Sequence, residues 1–245
     1  MGEIKLFCLP YAGGSASIYS RWNRLLDRSI KLCPYELPGR GNRHKEPYYS
    51  SLQQAVAELV QIIETKCSDC QYAVWGHSMG SIMAYELLCS LQEKGVRLPV
   101  HAFFSGRYPP SIKKEERNLH LLSEDEFEKE AVKLGGIPDN LFKIKPLFKT
   151  ALQTLRADYK LLETYKPGEL KSKFNFNISV FAGNEDELAQ PEDMSCWKNY
   201  CAGQCDFYYF EGGHFYLHKF AEEITQIISD TLVRIQTEQE VIYGG

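Results

Sequence analysis

The sequence predicts an α/β fold in which a mostly parallel central sheet carries helices on both faces. Three observations support this prediction. Short runs of β-branched and aromatic residues alternate along the chain with segments whose apolar residues recur at helical spacing. A serine between two glycines follows one predicted strand and precedes a predicted helix. The chain has 245 residues, of which 44% are hydrophobic, enough for one large core. We therefore expect a single domain over residues 1–245.

Charge and composition exclude several classes of protein. A formal net charge of −4 is too small to predict binding to nucleic acid or to an anionic membrane. No apolar run approaches the length of a membrane span, and the first residues lack the basic and hydrophobic regions of a signal peptide. We expect a cytoplasmic monomer whose partner is a small molecule or another protein.

The eight cysteines are too few for a disulfide framework in a chain of this length, so reduced thiols are expected. Cys67 and Cys70 have the spacing of a metal knuckle or a redox pair. No second pair stands at a suitable distance, although Cys196, Cys201 and Cys205 offer further thiols. We predict no metal site and interpret Cys67 and Cys70 as part of a loop before a strand.

The first predicted strand, residues 4–9, ends in the sequence Pro-Tyr-Ala-Gly-Gly-Ser at residues 10–15. Apolar residues then recur at helical spacing between residues 18 and 26. Small residues let the main chain of this loop approach a ligand closely. The loop therefore either supplies a backbone N–H to an oxyanion or is a plain turn between strand and helix. For the first interpretation, the amide of Ala12 is best placed.

The second predicted strand, residues 30–37, leads into a basic loop that contains Arg40, Arg43 and Lys45. The loops at the carboxyl ends of parallel strands surround the ligand crevice, so we expect this loop on the same side as the serine. One interpretation of its cations is a docking site for an acidic partner or for a phosphate. The alternative is a solvated run of charges without function. An amphipathic helix follows between residues 52 and 63.

The stretch Tyr-Ala-Val-Trp-Gly-His-Ser-Met-Gly, residues 72–80, predicts a strand, a sharp turn and a helix. A serine at the tip of such a turn has a strained backbone, and the residues two before and two after it must lack side chains. Gly76 and Gly80 meet this requirement. The amide of Met79 and the positive end of the helix dipole would face a developing oxyanion. Ser78 is therefore the candidate nucleophile.

The alternation of strands and helices stops after a strand predicted over residues 99–105. Residues 108–173 show no convincing strand and two helical segments, the first of which begins with a capping box of Ser123 and Glu126. This insertion leaves the sheet at the carboxyl end of a strand, so we predict that it forms a helical lid over the serine. The alternative is an ordinary helical subdomain packed elsewhere.

Acidic and basic side chains follow the last two predicted strands, residues 176–181 and 206–210. A serine hydroxyl needs an imidazole to take its proton, and that imidazole needs a carboxylate to orient it. His214, which follows two glycines, is the predicted base, and Asp186 is the predicted acid. The neighbouring Glu185 and Glu187 compete with Asp186 for this role. The chain order Ser, Asp, His is that of the α/β-hydrolase fold.

Taken together, these motifs resemble those of the type II thioesterases. The segments that carry the resemblance are Pro-Tyr-Ala-Gly-Gly-Ser at 10–15, Leu-Pro-Gly-Arg-Gly at 37–41, Gly-His-Ser-Met-Gly at 76–80, Leu-Gly-Gly-Ile-Pro at 134–138 and Gly-Gly-His at 212–214. The resemblance covers essentially the whole chain. One departure is that the turn Asn-Glu-Asp-Glu at residues 184–187 is richer in acids than is usual in the family.

The resemblance implies an enzyme that removes stalled or wrong acyl groups from the phosphopantetheine thiol of carrier proteins. These carriers belong to nonribosomal peptide synthetases and polyketide synthases. It implies catalysis by Ser78, His214 and Asp186, an oxyanion held by the amides of Met79 and Ala12, and no metal or nucleotide, because the phosphopantetheine arrives with the substrate. The family also includes medium-chain acyl thioesterases of fatty-acid synthesis. The sequence is also compatible with a general carboxylesterase or lipase, with a chain-terminating thioesterase and with a non-catalytic binding protein.

Overall fold

The computed structural model describes residues 3–114, 117–137, 143–167 and 172–243, with side chains up to residue 238. Its central element is a sheet of six strands. These are β1 (Ile4–Leu9), β2 (Ile30–Pro34), β3 (Tyr72–His77), β4 (His101–Ser105), β5 (Ile178–Gly183) and β6 (Cys205–Phe210). Every neighbouring pair is parallel, in the order β2-β1-β3-β4-β5-β6. The carboxyl ends of all six strands therefore lie at one edge.

The direction in which strands are added to the sheet reverses between β1 and β3. The chain places β2 on one side of β1 and all later strands on the other side. Such a reversal leaves a crevice outside the carboxyl ends of the two central strands. The loop after β1 contains Ala12, and the turn after β3 contains Ser78. The topology thus brings the predicted oxyanion loop and the predicted nucleophile to the same crevice.

Seven α-helices occur in the described residues. They are α1 (Leu52–Lys66), α2 (Met79–Glu93), α3 (Glu124–Leu134), α4 (Lys145–Thr164), α5 (Pro191–Met194), α6 (Tyr216–Lys219) and α7 (Ala221–Tyr243). 3₁₀ segments are found at Ala16–Arg24, Gly41–Arg43, Leu119–Leu121 and Ser195–Asn199.

Helices cover both faces of the sheet, as predicted. Side chains alternate along β1, with Phe7 and Leu9 in the apolar cluster that contains α1 and α2. Leu6 and Cys8 point to the opposite cluster, which contains the 3₁₀ turn Ala16–Arg24 and α7. Because the four inner strands, β1, β3, β4 and β5, are buried on both faces, they read as apolar runs in the sequence.

Two elements differ from the sequence prediction. The second strand was predicted to reach residue 37 but ends at Pro34. The Tyr35 amide still donates to the carbonyl oxygen of Cys8 at 2.9 Å, and the next bond of the ladder would need an N–H on Pro10, which has none.

The segment after the β1 loop is a 3₁₀ helix over Ala16–Arg24 instead of an α-helix. Its buried Tyr19 and Trp22 are three residues apart, a spacing that suits both helix types. Hydrophobic spacing alone therefore does not distinguish them.

Residues 108–173, which we call the inserted segment, lie between β4 and β5. In their described part they contain α3, α4 and the turn Leu119–Leu121, and no strand. The predicted capping box is present, because Ser123 and Glu126 each accept a hydrogen bond from the other's backbone amide. The predicted turn at 134–138 ends outside the described residues. Arg156 of α4 donates to the carbonyl oxygen of Leu122, which ties α4 to the start of α3.

All eight cysteines are free, as expected from their number and spacing. Across the described ranges, no helix is both long enough and apolar enough to span a membrane. In the same ranges, no group of three or more histidine, cysteine, aspartate or glutamate side chains is arranged to hold a metal ion.

Candidate active site

Ser78 occupies the sharp turn between β3 and α2. Its backbone has φ of 55° and ψ of −113°, a region that non-glycine residues rarely adopt. The amide of Ser78 donates to the carbonyl oxygen of Ser105 at 2.7 Å, which anchors the turn to the end of β4. The strained conformation predicted for this residue is therefore present in the structure.

The glycines on either side of Ser78 are required by close backbone contacts. A Cβ atom on Gly76 would lie 2.1 Å from the carbonyl oxygen of Gly80. A Cβ atom on Gly80 would lie 2.1 Å from the carbonyl oxygen of Leu9. Both distances are far below van der Waals contact, and both partners are main-chain atoms. The steric argument made from the sequence is confirmed at both positions.

Asp186 and His214 meet although 28 residues separate them. The Nδ1 atom of His214 lies 2.8 Å from Oδ2 of Asp186. The other carboxylate oxygen accepts hydrogen bonds from the amides of Leu188 and Ala189, at 2.9 and 3.1 Å. Because a carboxylate beside Nδ1 can only accept, Nδ1 carries the proton and Nε2 remains free to act as a base.

The choice among the three acids after β5 is decided by burial. Asp186 is only 2% exposed and contacts His214, whereas Glu185 and Glu187 are both exposed. Only the Asp186 carboxylate reaches the imidazole among the described residues. The turn is formed by a hydrogen bond from the Asp186 amide to the carbonyl oxygen of Gly183.

Ser78 and His214 line one cavity of about 240 Å³, together with Ala12. The inserted segment supplies much of the remaining wall, including Tyr159 and Leu162 of α4. Among the described residues, the Ser78 hydroxyl and the imidazole are not hydrogen-bonded to each other. Such bonds are often long in ligand-free enzymes and tighten when substrate binds.

Two main-chain amides are available for an oxyanion at this cavity. Met79 is the first residue of α2, so its amide has no acceptor one turn back in the helix. Ala12 lines the cavity, and its amide makes none of the hydrogen bonds found in the described chain. The assignment of these two amides to an oxyanion stays a prediction from the sequence.

His77 packs behind the imidazole of His214, with ring centroids 5.0 Å apart. Burial, together with the neighbouring His214 and His218, lowers the pKa of His77 well below its ordinary value. Its Nδ1 atom is 2.7 Å from the Ser105 hydroxyl, which is itself 2.6 Å from the hydroxyl of Tyr216. The imidazole of His214 therefore packs against a neutral ring that is held by a hydrogen bond to Ser105.

One residue of the basic loop after β2 does not match its predicted role in docking. Arg40 is only 7% exposed and forms a two-pronged ion pair with Asp158 of α4. Arg43 pairs with Glu46 and Glu58. Arg40 is therefore buried and not free to meet an acidic partner as predicted, whereas a docking role for Arg43, whose side chain is 21% exposed, stays a prediction. Only Lys45 of the predicted trio is exposed and outside any ion pair in the described residues.

Asp158 is the residue near the site that the sequence prediction missed. It is 1% exposed and lies on the buried face of α4 with Leu155 and Leu161. A carboxylate at helical spacing from two core leucines is an available sequence signal, since an unpaired charge is rarely buried. Its partner, Arg40, is 118 residues away in the chain, so the pairing itself has no local signal.

With this geometry established, comparison with known proteins shows the family. The model of the thioesterase domain matches residues 4–232. The chain belongs to the thioesterase family. It is 33% identical over 233 residues to the linear gramicidin dehydrogenase LgrE of Brevibacillus parabrevis, covering 94% of this chain and 88% of the relative.

Further relatives of this thioesterase have thioesterase or biosynthetic names. Thioesterase PikA5 of Streptomyces venezuelae is 33% identical over 233 residues, covering 94% of this chain and 81% of the relative. The solved structure of ClbQ, from the colibactin nonribosomal peptide and polyketide pathway, superposes with a TM-score of 0.91. The two are 33% identical, with 96% of this chain and 99% of ClbQ covered. The predicted α/β-hydrolase fold is thereby confirmed.

Proposed function

We propose that this thioesterase hydrolyses acyl groups from the phosphopantetheine thiol of carrier proteins, as an editing enzyme of a peptide or polyketide synthase. The observation that carries the proposal is the hydrogen bond between Asp186 and His214 beside a cavity shared with the strained Ser78. The description of ClbQ, from a nonribosomal peptide and polyketide pathway, supports the biosynthetic setting.

In the proposed mechanism, the Ser78 oxygen attacks the thioester carbonyl while Nε2 of His214 takes its proton. The oxyanion is held by the amides of Met79 and Ala12, and Asp186 stabilises the imidazolium. The carbon–sulfur bond then breaks, and the proton passes from His214 to the departing thiol. A water molecule activated by His214 attacks the acyl-serine and releases the acid. This sequence of acid-base steps uses neither a metal nor a nucleotide.

We propose that the inserted segment acts as a lid that limits the acyl group. Its side chains line the cavity, and the volume of about 240 Å³ lies below the roughly 300–1,000 Å³ of typical small-molecule sites. The biosynthetic names of GrsT, a gramicidin S biosynthesis protein, and of ClbQ favour the editing function over the medium-chain activity.

The dehydrogenase in the name of LgrE is not carried over to this chain. A dinucleotide-dependent enzyme needs a Gly-x-Gly-x-x-Gly turn after its first strand, so that the backbone can approach a pyrophosphate. The turn after β1 reads Pro-Tyr-Ala-Gly-Gly-Ser instead. The site around Ser78 supports acyl transfer.

The proposed partner is an acidic carrier protein that approaches the carboxyl edge of the sheet. Lys45 is the exposed cation of the basic loop that would attract it. The enzyme is proposed to act as a cytoplasmic monomer. Ser78, Asp186 and His214 all belong to one chain, so the proposed site needs no residue of a second copy.

The proposal is tested by mass spectrometry of acyl-carrier proteins after incubation with the enzyme, using Ser78→Ala as the inactive control. Carriers that bear acetyl to butyryl groups should be cleaved faster than carriers that bear octanoyl or decanoyl groups. The kcat/KM for an acyl-carrier should exceed that for the p-nitrophenyl ester of the same acid by about tenfold or more, because remote binding energy is available only from the carrier. A preference for the ester would instead identify a general carboxylesterase.

A further inference from the structure

We propose that Asp158 and Arg40 are positioning residues, which hold the loop after β1 so that the amide of Ala12 faces the oxyanion. The inference rests on the proposed function, in which that amide stabilises the transition state. It assigns a role in catalysis to a side chain of the inserted segment that does not itself contact the substrate.

The two side chains form a buried ion pair through the terminal nitrogens of Arg40, whose Nε atom has no hydrogen-bond partner among the described residues. Each terminal nitrogen of Arg40 donates to a different oxygen of Asp158, both at 2.6 Å. The side chains are 7% and 1% exposed. Burial alone would lower the pKa of Arg40, but the Asp158 carboxylate outweighs that effect and raises it. The pair is therefore charged, and its geometry is that of a planar fork on a carboxylate.

Both members of the pair also hold the loop directly. Oδ2 of Asp158 accepts a hydrogen bond of 2.7 Å from the amide of Gly13. Nη1 of Arg40 donates to the carbonyl oxygen of Gly14 at 2.9 Å. Gly13 immediately follows Ala12, so these bonds fix the peptide planes next to the proposed oxyanion donor. Together with the two bonds of the ion pair, these bonds connect α4, the loop after β2 and the loop after β1.

Packing adds a second restraint at the same turn of α4. Gly13 has φ of 79°, and a Cβ atom there would lie 3.0 Å from Cδ1 of Leu155. One residue earlier, the hydroxyl of buried Thr154 lies 3.0 Å from the hydroxyl of Tyr48. The loop after β1 thus packs against α4 and is also hydrogen-bonded to it.

Stability alone does not explain a charged pair at this place. Removing two charges from water is costly, and apolar residues of similar volume commonly stabilise a fold as well or better. An apolar pair, however, would leave the Gly13 amide and the Gly14 carbonyl without their partners. The ion pair is suited to orientation, because it offers an acceptor and a donor at fixed positions. Displacing a catalytic group by about 1 Å can lower the rate by a factor of about 10².

The test compares Asp158→Asn and Arg40→Lys with the wild type. Asp158→Asn keeps the shape but replaces one carboxylate oxygen by an NH2 donor, so it cannot accept from both terminal nitrogens of Arg40 and no longer balances the guanidinium charge. Arg40→Lys keeps the charge but not the fork. Glu58→Gln is the matched control, because it removes the carboxylate partner of Arg43 and touches no residue of the β1 loop. Two rates are measured: hydrolysis of an acyl-N-acetylcysteamine thioester, and inactivation by a fluorophosphonate.

We expect Asp158→Asn to lower kcat by about 10- to 100-fold with KM within about threefold, since the loss of one oxyanion donor costs about 10² to 10³. Fluorophosphonate inactivation should slow in parallel, because phosphonylation of Ser78 also places an oxygen in the oxyanion site. Arg40→Lys should retain part of both rates, and Glu58→Gln should stay within about twofold of the wild type. Circular dichroism at the assay temperature confirms that each variant is folded.

The inference is overturned if Asp158→Asn matches Glu58→Gln in both rates, or if only KM changes. Should Asp158→Asn not fold, Arg40→Lys decides by the same criteria. The outcome is separable from that of the proposed function. If the wild type reacts with fluorophosphonate but hydrolyses no thioester, the proposed function is contradicted. The rates of inactivation would still test the roles of Asp158 and Arg40. Failure of the wild type to react with either reagent would overturn both.

Discussion

A Cβ atom on Gly183 would lie 2.5 Å from the carbonyl oxygen of Gly212. The loops after β5 and β6 therefore touch backbone to backbone. They are joined further by hydrogen bonds from the Asn184 amide to the Phe210 carbonyl at 2.8 Å and from the Glu185 amide to the Gly212 carbonyl at 3.0 Å. This contact brings the Asp186 carboxylate to the imidazole that follows Gly212.

Gly183→Ala should separate these loops. The added methyl group meets main-chain oxygens that cannot rotate away, so we expect a loss of about 1–3 kcal/mol in the free energy of unfolding. We also expect about a hundredfold lower kcat, because the acid and base move apart. Gly136→Ala is the control, since its Cβ would contact only Phe215 at an ordinary 3.6 Å. Equal activity of the two variants in a thioester assay would contradict the prediction.

Asp186→Asn should lower kcat by about 10⁴, because an amide at this position favours the wrong tautomer of His214. Glu185→Gln, one residue earlier, should change kcat less than about twofold, because its side chain is exposed and does not contact His214 in the described structure. Steady-state hydrolysis of a small thioester measures both. A larger loss in Glu185→Gln would transfer the role of the acid to Glu185.

Lys45→Gln should weaken the reaction with acyl-carriers and leave small thioesters unaffected. An exposed ion pair contributes up to about 1 kcal/mol, which corresponds to about a fivefold loss of kcat/KM at low salt. The effect should fade as ionic strength rises. Lys31→Gln is the control, because Lys31 is also exposed but lies near the amino end of β2, at the opposite edge of the sheet. Equal losses on carriers and small substrates would exclude a docking role for Lys45.

The stability of the fold should decrease as the pH falls below about 6.5, in part because of His101. Burial, with a further contribution from Arg234, lowers the pKa of His101 from 6.5 to about 3. Between pH 6.5 and about 3, His101 binds a proton in the unfolded chain but not in the folded chain. The contribution of the neutral, buried His101 to the free energy of unfolding is therefore complete above pH 6.5 and is lost as the pH falls. One such group contributes up to about 1.4 kcal/mol per pH unit.

Urea unfolding at about pH 7 and about pH 5 tests this prediction, since most carboxylates remain ionised over that interval. The free energy of unfolding should decrease less between the two pH values in His101→Asn than in the wild type. His77, whose pKa is also lowered by burial, should account for part of the remaining slope. Identical slopes in the two proteins would show that His101 does not carry this dependence.

The sequence alone was sufficient for the features that depend on local sterics and periodicity. Gly76 and Gly80 identify the turn at Ser78, because only that backbone path needs glycine at both positions. The apolar runs identify the buried strands, because parallel strands are covered on both faces. The capping box at Ser123 and Glu126 identifies the start of α3 for the same local reason.

The tertiary structure decided what depends on residues distant in the chain. It selected Asp186 over Glu185 and Glu187 by burying one carboxylate against His214. It also placed Arg40 inside the protein beside Asp158, 118 residues away, where the sequence had predicted a cation exposed to a partner. Charge and spacing state what a side chain can do, whereas burial and long-range pairing determine which partner it meets. The nucleophilic turn could therefore be predicted from the sequence, and the choice of acid and the role of Arg40 could not.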